Sequence, residues 1–168
     1  MLKRFEPKLS VRTVYDIDLV KLWEQGYRGI ITDLDNTLVG AKEPLATPEL
    51  ISWLESVKEM GFRVVIVSNN NHGRVSAFAD PLHIPFIHAA RKPTRTPFNK
   101  ALTVLKTAPN NTIVIGDQLM TDVLGGNRMG LYTILVRPIA IKDEGIATKM
   151  INRPLEKLTL KLSRNKRQ

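Results

Sequence analysis

Cysteine is absent from this 168-residue sequence, which excludes a disulfide framework and any thiolate metal site. Also missing is an apolar run approaching the roughly 20 residues that a membrane-spanning helix requires, so any membrane contact is peripheral. No early hydrophobic segment resembles a secretion signal, and a cytoplasmic location is the expectation. Aromatic residues make up only 6% of the chain, and none stands among residues 156–168. That removes the stacking platforms on which single-stranded nucleic acid is commonly held. Acidic residues are short as well: 16 against 25 Lys and Arg leave a net charge of +9. Residues 1–12 carry +3 of it and residues 156–168 carry +4, so positions 13–155 hold only +2. The basic character belongs to the two ends, where it suits anionic lipid, nucleic acid or an acidic protein, or forms a solvated tail.

What is present is the composition of a soluble globular protein, 43% hydrophobic, long enough for one domain with a substantial core. The expectation is a single domain over 1–168 with a basic C-terminal tail at about 156–168. Five short apolar segments read as strands, at 29–32, 63–67, 85–88, 112–115 and 132–136. Helical patterns separate them. Thr47, Pro48 and Glu49 supply an N-cap, a first-turn proline and an early acid, Leu50, Leu54, Val57 and Met60 form a stripe at helical spacing, and Gly61 is the stop. Thr96 and Pro97 open another helix, and 121–129 suggests a third before Gly130. Helices at 17–25 and 144–152 complete the pattern. Alternating strands and helices predict an α/β fold, a doubly wound parallel sheet covered on both faces in three αβα layers.

Chemistry concentrates where the first strand ends. GIITDLDNTLVG, 29–40, runs from apolar residues into Asp33 and Asp35, then Thr37. Open α/β sheets place their ligands beyond the carboxyl ends of the strands. An ionised Asp33 there is a nucleophile for phosphorus, and Asp35 is placed to protonate a leaving oxygen and then to activate water. Both carboxylates also attract Mg²⁺, which prefers oxygen ligands. A calcium loop is rejected, because its sixth and twelfth positions hold Leu38 and Pro44 rather than Gly and Glu.

Three further strand ends bring matching residues. RVVIV leads into Ser68, Asn69 and Asn70, which offer a hydroxyl and amides to phosphate oxygens. After the third strand, Lys92 precedes Pro93 and is the candidate for neutralising phosphate charge, with Arg91 as its neighbouring competitor and Arg95 and Lys100 nearby. The fourth strand delivers Gly116 and Asp117, then Asp122. Asp117 is placed to complete an Mg²⁺ site with Asp33. Asp122 joins that site through water, holds Lys92 and Ser68 in position, or serves as a first-turn acid at a helix N-terminus. His72, His83 and His88 lack metal-ligand spacing and read as structural or exposed, and Gly125 and Gly126 as a turn or a close helix contact.

In this order, D-x-D-x-T, strand-Ser, Lys-Pro and G-D-x4-D resemble the haloacid dehalogenase (HAD) superfamily of phosphohydrolases across 33–122. DLDNTL, VSNN, Lys92-Pro93 and the run GDQLMTD make the chain similar to the YqeG group of bacterial phosphatases, in subclass IIIA. The resemblance implies a strand order of 5-4-1-2-3. It further implies Asp33 as nucleophile, Asp35 as acid and base, and Lys92 as charge stabiliser. Thr37, Ser68 and Asn69 fall at the phosphate, and Asp33, Asp35, Asp117 and Asp122 at Mg²⁺, with the backbone carbonyl of Asp35 as a ligand.

Only one loop and one helix fit between Gly40 and Gly61, and 23 residues lie between Ser68 and Lys92, so no sizeable cap domain is expected. An uncapped site suits a bulky substrate, a neighbouring subunit as lid, or low selectivity. The YqeG group is similar to mitochondrial phosphatidylglycerophosphate phosphatases, which implies a lipid phosphate monoester met at an anionic membrane surface. A broad sugar-phosphate or nucleotide phosphatase, a nucleic-acid end phosphatase, and a non-catalytic protein binding a nucleic-acid assembly are the alternatives; the oligomeric state stays open.

Overall fold

Runs of β-branched residues with little polar interruption form strands that are buried on both faces, and here they build a six-stranded, wholly parallel sheet. The computed structural model describes residues 2–139. The strands are β1 (Leu9–Val11), β2 (Gly29–Thr32), β3 (Arg63–Val67), β4 (Phe86–Ile87), β5 (Thr112–Gly116) and β6 (Tyr132–Val136). They lie in the order β1-β6-β5-β2-β3-β4. Without β1 this is the order 5-4-1-2-3 that the family resemblance implies.

The register places the chemistry. β2 pairs with β3 through Thr32 and Ile66 and with β5 through Thr32 and Ile115, so these three central strands end level with one another. The ladder continues past β2, with the Asp33 amide donating to the Ile115 carbonyl at 2.9 Å. Every residue of β2 is buried, as a central strand requires.

Among the described residues, five α-helices cover the sheet: α1 (Leu19–Glu24), α2 (Pro48–Glu59), α3 (His72–Ala79), α4 (Arg95–Leu105) and α5 (Leu124–Arg128). On one face Leu50, Leu54, Val57, Val75 and Phe78 pack with Ile30, Val64 and Ile113. On the other, Phe98, Ala101, Leu102 and Leu105 pack with Ile31, Val65 and Val114. The result is the three-layer αβα arrangement. Thr47 caps α2 as its sequence predicts, its hydroxyl accepting from the Leu50 amide at 3.2 Å, and Gly61 closes the helix at a φ of +102°. The helix expected at 121–129 is split. A π-helical turn, Leu119–Val123, precedes α5, and Gly125 and Gly126 then lie flush in the fold, where added methyl groups would strike Phe98 and Val114. The close helix contact is therefore the reason for this glycine pair.

Two elements are additions to the sequence reading. β1 lies on β6 at one edge of the sheet, and α3 begins at Asn71, whose side chain accepts from the Arg74 amide at 2.9 Å. The expected helix at 144–152 and the basic segment 156–168 lie outside the described residues.

Candidate active site

Beyond Thr32 the chain makes a tight turn that brings Asp33, Asp35 and Thr37 to the sheet's carboxyl edge. The Thr37 and Leu38 amides both donate to the Leu34 carbonyl, at 3.2 and 3.0 Å, and Asn36 donates to the Val39 carbonyl at 2.7 Å. Asn36 takes a left-handed φ of 61°, a conformation asparagine tolerates better than most residues. The chain also returns here after β6, with the Ile139 amide donating to the Asn36 carbonyl at 3.0 Å.

Lys92 is the centre of the buried charge. Its Nζ stands 2.6 Å from Asp122 Oδ1 and 3.1 Å from Asp33 Oδ1, and all three side chains are nearly closed to solvent. Arg91, one residue earlier, is exposed, as are Arg95 and Lys100. Lys92 alone of these cations therefore reaches the carboxylates. Its backbone is gripped by Asn69, whose Oδ1 accepts from the Lys92 amide at 2.7 Å while Nδ2 donates to the Lys92 carbonyl at 3.4 Å. Asn69 thus holds the lysine loop with both ends of its amide.

Asp117 is 1% exposed and accepts from the Thr37 hydroxyl at 3.2 Å. Oxygen atoms of Asp33, Asp117 and Asp122 lie within 4.8 Å of one another. Burial, the largest influence, pushes the Asp33 carboxyl up to about 6; Lys92 opposes that rise and the Asp122 charge adds to it. For Lys92, burial favours the neutral amine, but Asp122 and Asp33 outweigh it and hold the ammonium above its ordinary range. Three buried carboxylates against one buried ammonium is an excess of negative charge made wholly of oxygen donors, which fits a hard divalent cation such as Mg²⁺.

Asp35 stands apart from that cluster. Its Oδ1 accepts from Arg74 Nε at 3.0 Å and lies 3.0 Å from Arg74 Nη2, while Oδ2 accepts from Asn70 Nδ2 at 2.9 Å. The guanidinium also donates to the Gly40 carbonyl at 3.3 Å, so it ties the start of α3 to the far end of the aspartate turn. Sequence reasoning passed over Arg74; the signal was the N-cap at Asn71, which begins α3 beside the site and sets Arg74 in its first turn. Ser68 is buried, and its Oγ accepts from the Asn70 amide at 3.1 Å. The rings of His72 and His88 stack edge to face at 4.9 Å, in keeping with a structural role.

Comparison with known proteins agrees with this geometry. A family model described as HAD-hydrolase-like matches residues 89–144. Probable phosphatase YqeG of Bacillus subtilis is 50% identical over 167 residues, covering 99% of this chain and 96% of that protein. Phosphatidylglycerophosphate phosphatase 1 of Arabidopsis thaliana is 29% identical over 88% of this chain and 45% of its own length. In structure, an uncharacterized protein from Listeria monocytogenes matches with a TM-score of 0.56 at 18% identity, over 82% of this chain and 99% of that one, a likeness of fold. A sheet ordered around β2, strand-end carboxylates beside a buried lysine, and half-identity with YqeG over nearly the whole length lead to one assignment: the chain belongs to the YqeG family of HAD-type phosphatases.

Proposed function

We propose that this protein is an Mg²⁺-dependent phosphomonoester hydrolase, one catalytic domain over its whole length, working through an aspartyl-phosphate on Asp33. The observation that carries the reading is the buried set of Asp33, Lys92, Asp122 and Asp117, with Lys92 Nζ 3.1 Å from the nucleophilic carboxylate. An Asp33 oxygen attacks phosphorus, the bond from phosphorus to the ester oxygen breaks, and Asp35 gives its proton to the departing alkoxide. Asp35 then takes a proton from water, the water oxygen attacks phosphorus, and cleavage of the acyl phosphate releases inorganic phosphate and restores Asp33. Lys92 neutralises charge on the phosphoryl oxygens, Ser68 offers its hydroxyl to them, and Thr37 does so by turning its hydroxyl from Asp117 to the phosphate.

Asp33, Asp117 and the backbone carbonyl of Asp35 are the direct Mg²⁺ ligands in this reading, with Asp122 acting through Lys92 and through water. When bound, the ion supplies positive charge against the transferring phosphoryl group. Asn69 acts here as a support for Lys92.

A lipid phosphate monoester, phosphatidylglycerophosphate, is the proposed substrate. Two observations favour it. The Arabidopsis relative is named for that activity. Between Ser68 and Lys92 the chain forms only α3, a short turn and β4, and between Gly40 and Gly61 only a loop and α2, which supports a carboxyl edge that admits a bulky substrate. Among the described residues no helix is long and apolar enough to cross a membrane; the proposal is that the enzyme meets such a substrate as a peripheral protein.

The test is Mg²⁺-dependent phosphate release from phosphatidylglycerophosphate in mixed micelles, with the wild type beside Asp33→Asn. Release by wild type alone is the expected result. Turnover of soluble esters without the lipid would remove the substrate; equal turnover by Asp33→Asn would remove the nucleophile.

A further inference from the structure

Pro93 and Thr94, next in the chain after Lys92, line a cavity of about 390 Å³ together with Arg4, Arg95, Asn127 and Arg128. The three arginines that line it, all exposed, come from three separate parts of the chain. Among the described residues no acidic residue lines it, and no carboxylate pairs with any of the three.

The convergence is built rather than incidental. Asn127 Nδ2 donates to the carbonyls of Arg4 and Glu6, at 2.8 and 3.0 Å, and its Oδ1 accepts from the Thr133 hydroxyl at 2.9 Å. One buttressed amide thereby pins the N-terminal turn Leu2–Phe5 and brings Arg4 to the cavity that Arg128 lines. The start of α4 adds to the positive field. That helix has no acid in its first turn, and Thr94 gives its hydroxyl to the Arg91 carbonyl at 2.9 Å instead of capping the helix amides. Like charges gathered without a counter-charge repel, and an oxyanion relieves the repulsion. Guanidinium forks match the oxygens of a phosphate group in particular.

We propose that this cavity is a second oxyanion site, taking a phosphate-type group other than the one processed at Asp33. Pro93, in its wall, is the chain neighbour of Lys92, so on the phosphatase reading above, on which this part rests, the cavity favours a substrate that carries a further phosphate group beside the scissile one. The group comes either from a soluble ester or from a lipid headgroup.

The test uses the full-length, ¹⁵N-labelled protein without Mg²⁺, in an Asp33→Asn background, titrated with inorganic phosphate and compared with the same protein carrying Arg95→Ala and Arg128→Ala. Backbone amides of Arg95, Thr96 and Arg128 are expected to shift saturably, with binding weakened by about tenfold or more when the two arginines are removed. Unchanged amides elsewhere establish that the fold is intact. Shifts confined to Thr37 and Ser68, or equal affinity in the two proteins, would overturn the proposal. Because no turnover is measured, that failure is separate from failure of the phosphatase reading. Co-sedimentation with vesicles of phosphatidylglycerol and phosphatidylcholine distinguishes the sources. Loss of vesicle binding together with phosphate binding assigns the site to a headgroup, and loss of phosphate binding alone assigns it to a soluble ester.

Discussion

Lys92 lies closer to Asp122 than to Asp33, at 2.6 Å against 3.1 Å, so the ammonium group is anchored on one carboxylate and presented to the other. Removing the lysine leaves Asp122 buried without its partner. Lys92→Met is expected to lower stability by about 3–5 kcal/mol at neutral pH. It should also lower kcat by about 10²–10³-fold. Adding Asp122→Asn should restore much of the stability and none of the turnover. Urea denaturation and steady-state kinetics on the three proteins check this; recovery of turnover by the double variant would contradict the assigned role.

Asp33 makes a prediction about stability and pH. With its carboxyl pushed up to about 6, by burial first, the folded metal-free protein retains a proton that the unfolded chain releases near 3.8. The contribution of this group to stability is therefore greatest at low pH and declines as pH rises through that interval. Asp33→Asn abolishes the dependence, so in EDTA the variant should melt above the wild type at pH 8, with a smaller gap at pH 5. Melting curves at the two values are the measurement, and a gap that widens on acidification would refute the assignment.

Arg74 holds Asp35 through Nε and Nη2, and on the proposed acid-base role of Asp35 it is a positioning residue. Arg74→Ala should reduce kcat by about 10- to 100-fold, part of what a placed acid and base contributes, with little change in KM. The loss should shrink for esters whose leaving group is acidic enough to depart without a proton. A uniform loss across leaving groups would point to a structural role instead.

Gly116 ends β5 against the Asp122 side chain, and a methyl group there would collide with the carboxylate. Gly116→Ala should cost about 1–3 kcal/mol through overpacking. It should also cut turnover, because the displaced carboxylate is the one that anchors Lys92. Gly130→Ala is the control: space is open around that position, but its φ of +73° adds backbone strain alone, so the variant should lose some stability and keep its kcat.

Much of this was legible in the sequence because the motifs sit where strands end. Segments 29–32, 63–67 and 132–136 match β2, β3 and β6, and parallel pairing brings the residues after β2, β3 and β5 to one edge. What escaped has physical causes. β1 spans only three residues, Leu9 and Val11 half-buried and Ser10 exposed, too few to show a period, and it pairs with β6. α3 follows so closely on VSNN that its cap, Asn71, reads as more of the strand-end loop. The engagements of Arg74 with Asp35 and of Asn69 with Lys92 join residues 39 and 23 positions apart. No local pattern announces such a pair.

β1 has a consequence of its own. Without Leu9–Val11 beside it, β6 would end the sheet as an open row of amides and carbonyls on the apolar run YTILV, a template for joining another chain. The first dozen residues shield that row with a short strand flanked by Lys8 and Arg12, and the Lys8 amide is fastened to the Thr133 carbonyl at 2.9 Å. The same N-terminal segment that carries Arg4 to the basic cavity thus also covers the β6 edge of the sheet.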